Sequence, residues 1–226
     1  FGDTEPSGQV TRNRVTVLAY TLGEKNFIDS NGNNLYEAGE AFDDLGDVYI
    51  DNNENGLWSS GEQSISFNAA NTQACKLSTG AVDASQKPNT CSGDWGQAHV
   101  RKSMVIVFSG NVANTASSRS LTMAGSCSKT IPLLLTDQYG NPLPAGSTLT
   151  ISDNSVVDST APTKLKATVT VSQSLIPNTN AAGGTNHYIT VSTAACTVPV
   201  SGAFNLNVST PAASSNTTTV FSYVVN

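Results

Sequence analysis

Phe27-Ile28-Asp29-Ser30-Asn31-Gly32-Asn33 is echoed 22 residues later by Tyr49-Ile50-Asp51-Asn52-Asn53-Glu54-Asn55, and both copies close on Gly-Glu, at Gly39-Glu40 and Gly61-Glu62. A repeat this short is too small for a duplicated domain and of the right size for two tandem ion-binding loops. Strand-like runs lie on either side. Arg14 to Thr21 is β-branched and roughly alternating, and so is Val100 to Phe108. Residues 63–99 are rich in Ser, Thr, Asn, Gln and Gly. Residues 1–110 therefore read as a two-stranded β-ribbon with a very long insertion at its tip. A connection of that length needs something beyond regular secondary structure to order it, and calcium together with a disulfide would do so.

Counting from Asp29 as position 1 puts Asn31 at 3, Asn33 at 5, Leu35 at 7, Glu37 at 9 and Glu40 at 12. The same count from Asp51 gives Asn53, Asn55, Leu57, Ser59 and Glu62. These are the offsets of an EF-hand-type calcium loop. Side chains at 1, 3 and 5 converge from a tight turn, the main-chain carbonyl at 7 adds an oxygen, and the glutamate at 12 binds through both of its oxygens. Position 6 needs a positive φ, and it is filled by Gly56 in the second loop and Asn34 in the first. The expected cofactor is calcium, two ions, with the amides at 3 and 5 setting an affinity suited to extracellular levels. Magnesium prefers smaller, more rigid octahedral shells. Asp43, Asp44 and Asp47, between the loops, are further candidates to complete a shell or hold a third ion. The competing reading is that Asp and Asn only make Asx turns here; two matches in tandem, each with Glu at 12, weigh against it. No amphipathic helices flank the loops, so they are EF-hand-like loops in a β setting.

The charge distribution agrees with this. The chain has 226 residues with 17 Asp and Glu against 11 Lys and Arg, a net charge of −6, and ten of the seventeen acids fall between Glu24 and Glu62. With no basic cluster, a nucleic-acid partner is not expected. Hydrophobic residues at 38% are too many for a disordered chain, and the shortage of Leu, Glu and Lys argues against a helical one. No apolar run of about 18 residues is present, so no membrane insertion is expected, and no signal peptide is read before Phe1. Cys75, Cys91, Cys127 and Cys196 make no CxxC pair, which leaves disulfides as the natural reading and an oxidising, extracellular or cell-surface setting. Three connectivities are possible; Cys75–Cys91, closing a short loop, and Cys127–Cys196, joining distant β segments, are favoured.

After Gly110 short β-like runs recur at 119–124, 130–136, 147–152, 166–172, 187–193, 202–208 and 217–225, separated by turn signals such as Tyr139-Gly140-Asn141-Pro142 and Ala182-Gly183-Gly184. Seven short strands in residues 111–226 is the number expected of an Ig-like β-sandwich. The expected fold class is thus all-β: a C-terminal Ig-like sandwich at 111–226, preceded by a β-ribbon or partial Ig-like unit at 1–110 that carries the calcium insertion.

Catalytic constellations are absent from the sequence. His99 and His187 stand without a nucleophile or metal-ligand motif near them, no phosphate-cradling glycine loop occurs, and the acids that could serve glycoside hydrolysis are better used as calcium ligands. No catalytic residue is assigned and no enzyme activity is expected. Trp58 reads as a packing anchor, with sugar stacking as its alternative.

Leu135-Thr136-Asp137-Gln138-Tyr139-Gly140-Asn141-Pro142-Leu143-Pro144 resembles the D-x-x-G-N-P-L segment of bacterial Ig-like domains of the group-1 type, found in intimin- and invasin-like surface proteins. Val15 to Thr21 with the Asp29 and Asp51 loops resembles calcium-decorated Ig-like repeats of such proteins. The resemblance implies a non-enzymatic extracellular structural or adhesive module rigidified by calcium, with strands 15–22 and 100–108 as neighbours. Its partners would be adjoining Ig-like modules, identical subunits, or a host protein or glycan. Residues 1–110 hold too few strands for a complete sandwich, and exposed strand edges invite pairing. The alternative expectation is therefore a self-assembling subunit of an extracellular filament or pilus built by strand pairing between subunits.

Overall fold

A computed structural model describes residues 13–123, 125–158, 165–194, 199–212 and 215–226. Those residues are all-β, and the chain divides into two compact units, one holding residues 14–106 and the other 107–226.

The second unit follows the alternation of its sequence. It contains β5 (Ala113–Asn114), β6 (Ser120–Leu121), β7 (Ser128–Asp137), β8 (Thr148–Ser152), β9 (Val157–Asp158), β10 (Thr168–Val171), β11 (Thr185–Ser192), β12 (Val200–Thr210) and β13 (Thr217–Val225). One sheet has the order β10-β11-β7-β5; the other runs β6-β13-β12-β8, with β9 also pairing β12. All pairings are antiparallel except that of β6 with β13. Every second residue of β12 and β13 points inward, namely Phe204, Leu206, Val208, Phe221, Tyr223 and Val225. They join Leu133, Leu135, Ile189 and Val191 from the other sheet in one apolar core, where Phe204 and Tyr223 stack with ring centroids 5.0 Å apart. The arrangement is consistent with a β-sandwich. Between β7 and β8, the buried Asp137 carboxylate accepts N–H groups from Gly110, Tyr139 and Asn141 at 2.7–2.8 Å, which fixes the turn. His187 lies in this unit, fully buried, bonded to the Thr185 hydroxyl and the Gln173 carbonyl. Cys196 lies outside the described residues, and so does its expected pairing with Cys127.

The first unit has little apolar core. Among its described residues, the buried hydrophobic side chains are Val48, Cys75, Cys91 and Ala98. β1 (Arg14–Glu24) and β4 (Gln97–Val107) form a two-stranded ribbon, and the Lys25 N–H donates to the Gly96 carbonyl just beyond their ends at 3.0 Å. The insertion thus leaves and rejoins the ribbon at one place. Within it lie β2 (Val48–Tyr49) and β3 (Ser64–Ile65), paired antiparallel, and the Cys75–Cys91 disulfide.

With its cysteines 16 positions apart, this disulfide restricts the unfolded chain substantially. Replacing both partners (Cys75→Ser with Cys91→Ser) is expected to lower the stability of the first unit by about 3 kcal/mol, read as a shifted midpoint in urea denaturation.

Candidate metal centre

The two repeats fold into similar loops that share most of their hydrogen bonds. An antiparallel bridge closes each one: Phe27 with Phe42 around the first, Tyr49 with Ser64 around the second. Inside that bridge the Ile28 N–H donates to Ala41 O at 2.7 Å, and the Ile50 N–H to Gln63 O at 2.9 Å.

The aspartate at position 1 organises the turn. Asp29 accepts the Asn33 N–H at 3.3 Å and the Asn34 N–H at 2.7 Å, as Asp51 accepts those of Asn55 at 3.2 Å and Gly56 at 2.7 Å. The amide oxygen at position 3 takes the N–H of position 5 in both loops, at 3.0 Å from Asn31 and 3.1 Å from Asn53. That at position 5 takes the N–H of position 7, at 2.8 Å from Asn33 and 2.7 Å from Asn55. The backbone turns through positive φ at positions 4, 6 and 11 in both: Gly32 78°, Asn34 61°, Gly39 106°, and Glu54 57°, Gly56 75°, Gly61 99°. Four of these six positions are glycine, which takes positive φ freely; only Asn34 and Glu54 hold it at a cost.

The glutamate at position 12 reaches back across the loop. Glu40 accepts the Ser30 N–H at 2.8 Å and the Glu37 N–H at 3.0 Å; Glu62 accepts those of Asn52 at 3.0 Å and Ser59 at 2.7 Å. Position 9 lies against the amides at 3 and 5. Asn31 and Asn33 donate to the Glu37 carboxylate at 2.5 and 3.0 Å, and Asn53 and Asn55 to the Ser59 hydroxyl at 2.8 and 3.3 Å. The side chains of Leu35 and Leu57 at position 7 are exposed, so only their main-chain oxygens could serve an ion. Side chains at 1, 3, 5, 9 and 12 of each loop are thereby connected by one set of short-range bonds. Among the described residues, no three His, Cys, Asp or Glu side chains stand together as a ready metal cluster; amide and main-chain carbonyl oxygens supply three of the six expected ligand positions in each loop.

The acids between the loops are taken up otherwise. Asp44, buried, pairs with the buried Lys25 ammonium at 2.6 Å and accepts the Gly93 N–H at 2.8 Å, so it serves as that cation's internal counter-ion. Asp43 accepts the Ser78 N–H and an Asn26 amide hydrogen. Asp47 meets Lys87 at 3.2 Å and accepts the Phe67 N–H.

Two attachments to the scaffold are not legible in the loop motif. Glu54 receives a two-pronged ion pair from the buried Arg14 on β1, Nε to Oε1 at 2.7 Å and a terminal nitrogen to Oε2 at 2.5 Å, and the Thr16 hydroxyl donates to Asp51 O at 3.1 Å. The first loop rests on rings: Tyr36 stacks on Trp95 at 4.5 Å, with Phe27 and Phe42 edge-on, and Trp95 Nε1 donates to Lys25 O. Tyr36 and Trp58 share position 8, and this aromatic coincidence was the available sequence signal. Trp58 is half-buried, and its Nε1 has no hydrogen-bond acceptor among the described residues. His99 sits edge-on between Tyr20 and Phe67 at 5.0 and 5.3 Å.

Hydrogen bonding sets the electrostatics of the first loop. The Asn34 N–H, followed by those of Gly32 and Asn33, holds the Asp29 carboxyl below its usual 3.8. The Ser30 N–H, aided by that of Glu37, does the same for Glu40 relative to 4.5. A depressed folded-state value means that these bonds stabilise the loop fully above the ordinary carboxylate range and are lost as the pH falls through it. The amide resonances of Ser30, Gly32 and Asn34 are therefore expected to hold their positions from neutral pH down to about 4.5 and to move only below it. Separately, Glu54→Ala leaves the Arg14 guanidinium buried without its carboxylate and should cost about 3 kcal/mol in urea denaturation. Pairing it with Arg14→Met should recover much of that loss.

Comparison with protein-family models, with curated proteins and with solved structures found no match to this chain.

Proposed function

We propose that the chain is a non-enzymatic, extracellular Ig-like module of a bacterial surface protein, stiffened by two calcium ions. The observation that carries this reading is the close correspondence of the two twelve-residue loops, down to positive φ at 4, 6 and 11 in each. Coincidental Asx turns have no reason to reproduce the reach of position 12 back to positions 2 and 9. The strand orders β5-β7-β11-β10 and β6-β13-β12-β8 support the Ig-like reading, since they follow the A-B-E-D and A′-G-F-C orders of that fold. The Cys75–Cys91 disulfide supports an oxidising location.

Calcium would act on a unit that has few buried apolar side chains and many carboxylates. An ion bound only by the folded state stabilises it by linkage, about 2.7 kcal/mol at a free concentration one hundred times Kd. The first loop offers carboxylates at Asp29, Glu37 and Glu40 and the second only at Asp51 and Glu62, so the first should bind more tightly.

Calorimetric titration after chelation is expected to show two binding events and a raised Tm, with Glu40→Gln abolishing the tighter event and Glu62→Gln the weaker. Absence of both heat and stabilisation would overturn the calcium reading.

A filament subunit is the second reading. It is favoured by the β1–β4 ribbon, which pairs with no third strand among the described residues and exposes Val15, Val17, Met104 and Ile106. A monodisperse monomer by light scattering, at high protein concentration with calcium, would exclude it.

A further inference from the structure

Asn31-Gly32 and Asn55-Gly56 are the two Asn–Gly pairs in the sequence, one in each loop. All four residues are exposed. In both pairs the asparagine Oδ1 accepts the N–H two residues on, from Asn33 at 3.0 Å and from Leu57 at 2.7 Å. That bond folds the side-chain amide over the peptide linking it to glycine and polarises its carbonyl carbon. The glycine N–H is held by a carboxylate, Gly32 to Asp29 Oδ1 at 2.7 Å and Gly56 to Asp51 Oδ2 at 2.7 Å. Nothing lies within 4 Å of where a Cβ would stand on Gly32 or Gly56, so nothing crowds the glycine beside its attacking nitrogen.

We infer that Asn31 and Asn55 are sites of spontaneous deamidation, in which Asp29 and Asp51 take the proton from the attacking glycine nitrogen. The Gly N forms a bond to the Asn Cγ while its proton passes to the carboxylate within hydrogen-bond reach. The bond from Cγ to the side-chain nitrogen then breaks, the proton returns to that nitrogen, and ammonia leaves. Water opens the resulting succinimide at either carbonyl, giving aspartate or isoaspartate. The repeat supplies its own controls. Asn33-Asn34 occupies the place of Asn55-Gly56 and keeps the same carboxylate contact, Asn34 N to Asp29 Oδ2 at 2.7 Å, but carries a side chain on the attacking residue. Asn53-Glu54 occupies the place of Asn31-Gly32, with Glu54 tied to Arg14. The consequence for the ion sites rests on the calcium reading: aspartate adds a charged ligand at position 3 of one loop or 5 of the other, whereas isoaspartate lengthens the main chain and opens the turn.

The conversion is tested without calcium. The folded chain is aged in chelator at mildly alkaline pH beside synthetic peptides of each loop sequence, and peptide mass mapping with isoaspartate detection follows every asparagine. A gain of one dalton at Asn31 and Asn55, severalfold faster in the folded chain than in the peptides, with Asn33 and Asn53 lagging, is expected. Asp51→Asn should bring Asn55 down to the peptide rate while Asn31 keeps its own. Rates in the folded chain no higher than in the peptides, or an unchanged Asn55 rate in the Asp51→Asn chain, would overturn the inference. Failure here leaves the calorimetric result untouched, and the reverse also holds.

Discussion

The carboxylate that accepts main-chain N–H groups is the interaction on which the first unit depends. A segment that buries so few hydrophobic side chains cannot be ordered by apolar burial. Asp29 and Asp51 collect the turn of each loop, Glu40 and Glu62 tie its two halves, and Asp43, Asp44 and Asp47 pin the segments between and beyond. Each such bond satisfies a donor that a loop would otherwise leave to water, and hydrogen bonds to a charged acceptor are the stronger kind. The cost is crowding of like charge, which Arg14, Lys25 and Lys87 offset at three places. Among the described residues no such cation pairs with the acids at positions 1, 9 and 12 of the loops, and this is where a divalent ion would relieve the most repulsion.

The second unit is organised by the opposite means. Its strands alternate, its inward residues are mostly Leu, Ile, Val, Phe and Tyr, and buried polar groups such as Asp137 and Thr210 stand at strand ends. Its stability owes little to ions, whereas that of the first unit should follow pH and counter-ions closely. Two neighbouring stretches of one chain therefore answer to different solution conditions.

How much could be read in the sequence follows from these two regimes. Strict alternation made the long strands of the second unit visible, since residues such as Phe204, Leu206 and Val208 reveal a buried face by their spacing. The two-residue strands β5 and β9 have no period to read and were missed. In the first unit the loop motif was legible because fixed offsets of Asp, Asn, Gly and Glu reflect local bonds. What joins residues distant in sequence left no such trace: Arg14 meets Glu54 across 40 positions, and Trp95 finds Tyr36 by tertiary folding alone. For the same reason the pairing of Asp44 with Lys25 left no trace in the sequence.

The bridges that close the two loops carry a consequence for how such a segment could arise. Phe27 meets Phe42 and Tyr49 meets Ser64 across identical intervals of chain. Each cassette thus begins and ends at a single point on a paired backbone. An element with adjoining ends can be copied or deleted in tandem without displacing whatever it is spliced into, because neither flank has to move to accommodate the change. The ribbon would then act as a mounting rail, and the number of loops it bears becomes a quantity that gene duplication can alter one unit at a time.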